Sequence, residues 1–69
     1  MSMNWNQIKN NWNTVSDEIR RTWGKLSDDD LRSVAGRRDQ LAIMLQRRYG
    51  YATVVAENKV DLFVQELNH

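Results

Sequence analysis

Three glycines divide a proline-free chain into four segments, and their positions constrain the fold more than any other feature of the sequence. They stand at Gly24, Gly36 and Gly50, and within the segments large apolar residues recur every three or four positions. That period is typical of one face of an α-helix, whereas a strand would show strict alternation. Glycine is common just past a helix end, because it adopts the left-handed conformation without steric cost. The sequence therefore predicts an all-α domain whose helices end at the glycines.

The predicted helices extend over 4–23, 27–35, 38–48 and 53–67. Asn10 and Asn11 are poor helix formers, so the first segment is either one helix or two, and the domain has four helices or five. The connections are short, so each helix must pack on its neighbours, and the unequal lengths favour two crossed helical hairpins over a regular bundle. We expect one domain over 1–69, with an ordered core over about 4–67.

The start of the second predicted helix carries the strongest local signal. Ser27 is expected to be the N-cap, and Asp30 to complete a capping box by accepting from the Ser27 N–H. Leu26 and Leu31 flank this turn as a hydrophobic staple. The aspartate run 28–30 also suggests a metal site, but consecutive helical residues point about 100° apart and do not converge on one ion. We therefore interpret the run as capping.

Composition excludes most catalytic and metal-binding chemistry. The chain has no cysteine, and its one histidine is His69, so disulfides, zinc sites and the usual nucleophile–base pairs are absent. We predict no catalytic residue, no cofactor and no metal ligand. There is no run of 18 apolar residues, and the first fifteen residues lack the pattern of a signal peptide. We expect no membrane span and a cytoplasmic location.

The tryptophans have two interpretations. Trp5, Trp12 and Trp23 lie at helical spacing with Ile8, Val15 and Ile19. They could be platforms on which nucleic-acid bases stack. Their place on one apolar stripe instead predicts that Trp12 and Trp23 are buried in the core.

Three arginine pairs offer a possible binding surface: Arg20-Arg21, Arg37-Arg38 and Arg47-Arg48. The last four of these residues could bind phosphate on a nucleic acid or a membrane surface. The net charge is only +1, however, and acidic residues lie close to the pairs. A nucleic-acid footprint normally shows a clear basic excess, so a solvated, charge-balanced face is favoured. The directions in which the six side chains point will distinguish the two interpretations.

The fourth predicted helix has more apolar residues than one packing face needs. Val55 and Leu62 widen its stripe, and Val54 and Val64 fall outside it. A small domain without disulfides or metals has reason to bury such residues against another chain. This predicts a weak homodimer or an unknown protein partner at this helix. Scattered exposed apolar residues on a monomer are the alternative.

Several segments carry a family resemblance. The segments 23–30 (WGKLSDDD), 36–41 (GRRDQL) and 45–50 (LQRRYG) resemble the WGKLTDDD, GKRDQL and IQERYG blocks of the CsbD-like (YjbJ-like) family of small bacterial stress proteins. The residues taken as its structural signature are Trp12, Trp23, Gly24, Leu26, Ser27, Asp30, Leu31, Gly36, Leu41, Tyr49 and Gly50. The resemblance covers about 4–63. It implies a fold similar to the sterile-alpha-motif (SAM-like) class and production under general stress, stationary phase or osmotic challenge. It implies no reaction and no ligand site.

Overall fold

The computed structural model describes residues 4–68, and within that range it contains helices and no strand. The helices are α1 (Trp5–Asn10), α2 (Trp12–Thr22), α3 (Asp28–Val34), α4 (Arg38–Tyr49) and α5 (Thr53–Leu67). The all-α prediction is confirmed. Of the two alternatives for the first segment, one helix or two, the structure has two. His69 lies outside the described residues.

Asparagine side chains set both ends of α1. The Asn4 Oδ1 accepts from the Gln7 N–H at 3.0 Å, and the Gln7 Oε1 accepts from the Asn4 N–H at 3.0 Å, which forms a capping box. At the other end, the Asn11 Nδ2 donates to the Gln7 carbonyl at 2.9 Å. An asparagine side chain competes with the backbone for such carbonyls, which is why it disfavours a helix interior. The chain therefore breaks at Asn11, and α2 starts at the next residue.

Two of the three glycines end helices in the predicted way. Gly36 and Gly50 have φ of 78° and 71°, in the left-handed region. Ala35, which ends α3, is also left-handed with φ of 49°. The prediction is wrong at Gly24, whose φ is not positive. There, α2 has already ended at Thr22, and the non-helical backbone of Trp23, with φ of −125° and ψ of 84°, carries the chain out of the helix.

The core draws on all five helices. Its buried apolar residues are Ile8, Val15, Ile19, Trp23, Leu26, Leu31, Val34, Leu41, Ala42, Met44, Leu45, Ala56, Val60 and Phe63. The predicted burial of Trp23 is confirmed, and its ring contacts Phe63 with centroids 5.3 Å apart. Trp12 is only half-buried, contrary to the prediction. Its indole Nε1 donates to the Leu31 carbonyl at 3.0 Å, which holds the ring at the edge of the core.

Helices α4 and α5 form an antiparallel hairpin. Near one end the Arg38 Nη2 lies 2.8 Å from the Asp61 Oδ1, and near the other the Gln46 Nε2 donates to the Thr53 Oγ1 at 2.8 Å. Ala52 occupies the N-cap position of α5 without a side-chain bond. The polar pairs fix the register of the hairpin.

A close approach of α1 makes Gly36 the most constrained of the glycines. A Cβ atom built there would lie 2.8 Å from the Lys9 Cα, which is closer than real Cβ contacts allow. At Gly50 and Gly24 a Cβ would meet no heavy atom within 4 Å among the described residues. Gly50 is thus constrained only by its positive φ, and Gly24 by neither property.

We predict a graded response to alanine at the three glycines. Gly36→Ala should lower the free energy of unfolding by about 2–3 kcal/mol, Gly50→Ala by about 1 kcal/mol and Gly24→Ala hardly at all, because backbone strain and steric overlap add at Gly36. Urea unfolding followed by tryptophan fluorescence measures all three. Equal losses at Gly36 and Gly24 would show that α1 does not rest on the α3–α4 turn.

Candidate protein-interaction surface

Most of the paired arginines already have partners within the domain. Four bind carboxylates, in the pairs Arg20–Asp28, Arg21–Glu18, Arg38–Asp61 and Arg48–Asp30, with N–O distances of 2.8–2.9 Å. Arg37 donates to the carbonyls of Ser33 and Val34 at 2.7 and 3.2 Å, and so caps the end of α3. For Arg47 we find no partner among residues 4–68. Carboxylates are interleaved with the arginines, which is the arrangement expected of a charge-balanced face.

The Asp30–Arg48 pair is the least exposed of these ion pairs. The Asp30 side chain is 8% exposed, and its two oxygens accept from the Arg48 Nε at 3.0 Å and the Arg48 Nη2 at 2.8 Å. Its Oδ2 also accepts from the Ser27 N–H, and the Ser27 Oγ accepts from the Asp30 N–H, both at 3.1 Å. The predicted capping box is therefore confirmed. The same carboxylate ties the start of α3 to the last turn of α4.

These contacts stabilise the charged form of Asp30. Hydrogen bonds from Arg48, and then from the Ser27 N–H, lower the pKa of the carboxyl from 3.8 to about 2, against the opposing effect of burial. The same pair raises the pKa of the Arg48 guanidinium. The sequence indicated the cap but not this partner, because Arg48 looked like one more cation near a helix end. Arg48 is a structural residue, and the binding role considered for it is not supported by its position.

An open groove runs between α2 and α5, with a volume of about 490 Å³. We call it the α2–α5 groove; its apolar lining is Trp23, Leu62, Phe63 and Leu67, and its polar lining is Glu18, Thr22, Lys59 and Glu66. Leu62 is 56% exposed, whereas Trp23 and Phe63 form a buried floor. An apolar floor with a charged rim is typical of surfaces that bind proteins.

The apolar surplus of α5 is distributed differently from the prediction. Val54, Val55 and Leu62 are exposed, in agreement with it. Val64 was expected to lie outside the packing face, but it is half-buried against the core, at the side of α5 that continues the Val60 row. The opposite side, with Val55 and Leu62, therefore carries the surplus next to the groove.

An aromatic stack at the α4–α5 connection contacts Lys59, which lines the groove. The rings of Tyr49 and Tyr51 lie parallel, with centroids 5.4 Å apart. The Lys25 Nζ lies 5.1 Å from the Tyr49 centroid, and the Lys59 Nζ lies 5.6 Å from the Tyr51 centroid. The Tyr49 hydroxyl also accepts from the Lys25 N–H at 3.2 Å. Two tyrosines on either side of a left-handed glycine are a sequence signal for this stack, which the helical periodicity alone does not predict.

The described part of the chain offers no arrangement for metal binding. Within residues 4–68 no three histidine, cysteine, aspartate or glutamate side chains are placed to hold an ion. Asp28, Asp29 and Asp30 diverge, and their partners are Arg20, Arg32 and Arg48, respectively. No helix in that range is long and apolar enough to cross a membrane.

Comparison with known proteins gives the family. YjbJ of Escherichia coli O6:H1, a UPF0337 protein, is 42% identical over 59 residues, which are 86% of this chain and 86% of the relative. The chain belongs to the UPF0337 family. Another member, from Rhodopseudomonas palustris, is 48% identical over 59 residues, which are 86% of this chain and 89% of that one. A third, from Nitrosomonas europaea, is 36% identical over 64 residues, which are 93% of this chain and 68% of that relative.

The UPF0337 assignment agrees with the YjbJ-like resemblance seen in the sequence, and the names of these relatives state no activity, ligand or partner. No family model matches the chain. No solved structure matches it.

The Asp30–Arg48 pair predicts a specific acid response. The pKa of Asp30 is lower in the folded state, so the pair's stabilisation is complete above about pH 4 and is lost as pH falls towards 2. Arg48→Met should lower the free energy of unfolding at pH 7, because it removes the guanidinium that stabilises the Asp30 carboxylate. It should also flatten the pH dependence of stability between pH 4 and 2.

Arg47→Met is the matched control, because it removes a neighbouring arginine without a partner among the described residues. Urea unfolding between pH 2 and 7 gives the comparison. Identical pH profiles for Arg48→Met and the parent protein would show that the pair contributes nothing.

We also predict that the paired arginines leave little affinity for nucleic acid. No retarded band should appear at micromolar protein in a mobility-shift titration at about 0.15 M salt, because charge-driven binding requires free cations. The double variant Asp28→Asn, Asp61→Asn frees Arg20 and Arg38, and it should bind measurably better than the parent. Micromolar binding by the parent protein would contradict the prediction.

Proposed function

We propose that the protein is a non-enzymatic stress-response protein of the bacterial cytoplasm that acts by binding another protein at the α2–α5 groove. The observation that carries this proposal is the exposure of Leu62 beside the aromatic floor of Trp23 and Phe63. An exposed leucine over buried aromatic rings is an arrangement that a partner side chain can cover, since binding energy concentrates in apolar pockets surrounded by polar groups.

The shape of the groove favours a helical partner. It is an open channel between two helices, and such channels receive the apolar face of a third helix. Lys59 and Glu66 on the α5 side and Glu18 on the α2 side provide charges of both signs at the rim. Rim charges of both signs select the orientation of a partner more than they add affinity.

The stress role is supported by resemblance. The segments 23–30, 36–41 and 45–50 are similar to those of CsbD-like stress proteins, and relatives named YjbJ share 41–42% of the aligned residues. The small size of the chain supports a protein that acts by association, as does the open apolar groove.

The alternative function, binding of nucleic acid or membrane surfaces through the arginine pairs, is less well supported. Arg38 and Arg48 are held by Asp61 and Asp30, and Arg37 is held by backbone carbonyls. Only Arg47 of the four candidate residues is without a partner in the described range. One unpaired arginine is a weak basis for phosphate recognition.

The finer fold assignment, two crossed hairpins similar to the SAM class, belongs to the same proposal. It is supported by the α4–α5 hairpin, by the bond from Trp12 on α2 to the Leu31 carbonyl on α3, and by the Asp30–Arg48 pair. These contacts connect α2 to α3 and α3 to the hairpin.

Survival under stress tests the proposed function. A strain that lacks the gene should lose viability after osmotic challenge or prolonged stationary phase, and the parent gene should restore it. Leu62→Lys should not restore viability, because a charge replaces the apolar contact in the groove. Val54→Lys is the matched control, since Val54 is 68% exposed on the same helix but does not line the groove.

Both variants replace exposed residues, so thermal melting should show that each is folded. Full rescue by Leu62→Lys would contradict a role for the groove. A deletion strain without any survival defect would contradict the stress role.

A further inference from the structure

Helix α5 presents a continuous row of residues that the rest of the domain leaves uncovered. Val55, Lys59, Leu62 and Glu66 are spaced by four, three and four positions, so they form one line along the helix, which we call the α5 stripe. All four are exposed. Three of them, Lys59, Leu62 and Glu66, also line the α2–α5 groove.

The charges on the α5 stripe are arranged symmetrically about a point next to Leu62. Lys59 and Glu66 are seven residues apart, and their midpoint falls between Leu62 and Phe63. Two identical helices that pack antiparallel about a two-fold axis at this midpoint place Lys59 of each copy opposite Glu66 of the other. The apolar centre of one stripe then contacts the same residues of the other copy at the axis. A two-fold interface requires this self-complementarity.

The two charged groups are available for such contacts. Among the described residues Glu66 has no ion-pair partner, and Lys59 contacts only the face of the Tyr51 ring. The ring contact restrains the Lys59 side chain at the rim of the groove while its N–H donors stay free. Asp17 and Glu57, which have no partner among the described residues either, lie off this stripe.

We infer that the partner of the α2–α5 groove is a second copy of this chain, bound through antiparallel pairing of the two α5 stripes. The inference rests on the proposed function, since it names the occupant of the same groove. Leu62 of each copy enters the groove of the other above Trp23 and Phe63, and two Lys59–Glu66 pairs close the ends. A single pair of short helices buries less surface than a stable dimer needs, so association is weak and depends on protein concentration.

Charge reversal gives a test that depends on the geometry. Lys59→Glu and Glu66→Lys each place like charges opposite one another in the homodimer. Sedimentation equilibrium should therefore give each single variant a dimer dissociation constant at least about tenfold higher than that of the parent. The double variant Lys59→Glu, Glu66→Lys should dimerise as the parent does. An equimolar mixture of the two single variants should also dimerise, because each then faces opposite charges.

Cysteine cross-linking tests the position of the axis, and the chain has no cysteine of its own. Leu62→Cys should form a disulfide-linked dimer under mild oxidation much faster than Val54→Cys at the same concentration. Val54 is the more exposed of the two but lies away from the α5 stripe. Equal rates would overturn the inference, as would single charge variants that dimerise like the parent, or a mixture of them that stays monomeric.

The outcomes separate this inference from the proposed function. The parent chain could be monomeric at every concentration while Leu62→Lys fails to restore stress survival. In that case the inference of a second copy is wrong, and another protein occupies the groove. If Leu62→Lys restores survival and the parent is monomeric, both proposals are wrong. Dimerisation that follows the charge pattern, together with full rescue by Leu62→Lys, would establish the dimer and remove its link to survival.

Discussion

The carboxylate of Asp30 accepts one hydrogen bond from Ser27 and two from Arg48, and the arrangement of α3 depends on it. Helix α3 has seven residues, fewer than an isolated helix needs to persist in water. It forms because its first turn is capped and because the capping residue is joined to the end of α4. In a domain of this size without cysteines, such a shared contact takes the place of a covalent link.

Local signals in the sequence predicted the parts of the structure that depend on near neighbours. The Ser27 cap and the left-handed Gly36 and Gly50 each involve residues within four positions of one another. The break at Asn11 is also local, but the sequence offered it only as one of two alternatives. Contacts across the fold could not be predicted in this way. The Asp30–Arg48 pair joins residues 18 apart, and its existence depends on how α3 crosses α4. The same holds for the candidate site: its apolar surplus on α5 was predicted, but the groove exists only because α2 lies alongside.

The domain separates its charges from its apolar surplus. Arginines whose side chains cross between helices find carboxylates, as in Arg20–Asp28 and Arg38–Asp61, so they contribute to internal order. Each exposed pair adds little stability alone, but together they leave almost no free cationic patch. Most of the large apolar residues that stay exposed are instead on α5, at Val54, Val55 and Leu62. A surface of that kind favours recognition by shape and apolar contact over long-range attraction of polyanions.

The close contact between α1 and Gly36 has a consequence for the dynamics of the domain. Helix α1 has six residues, and it is held by the buried Ile8 and by the Lys9 backbone against the α3–α4 turn. It is too short to remain helical once it leaves that surface. Detachment and unfolding of α1 are therefore one event, which can precede global unfolding. Amide hydrogens of α1 should accordingly exchange together, and faster than those of α4 at the centre of the core.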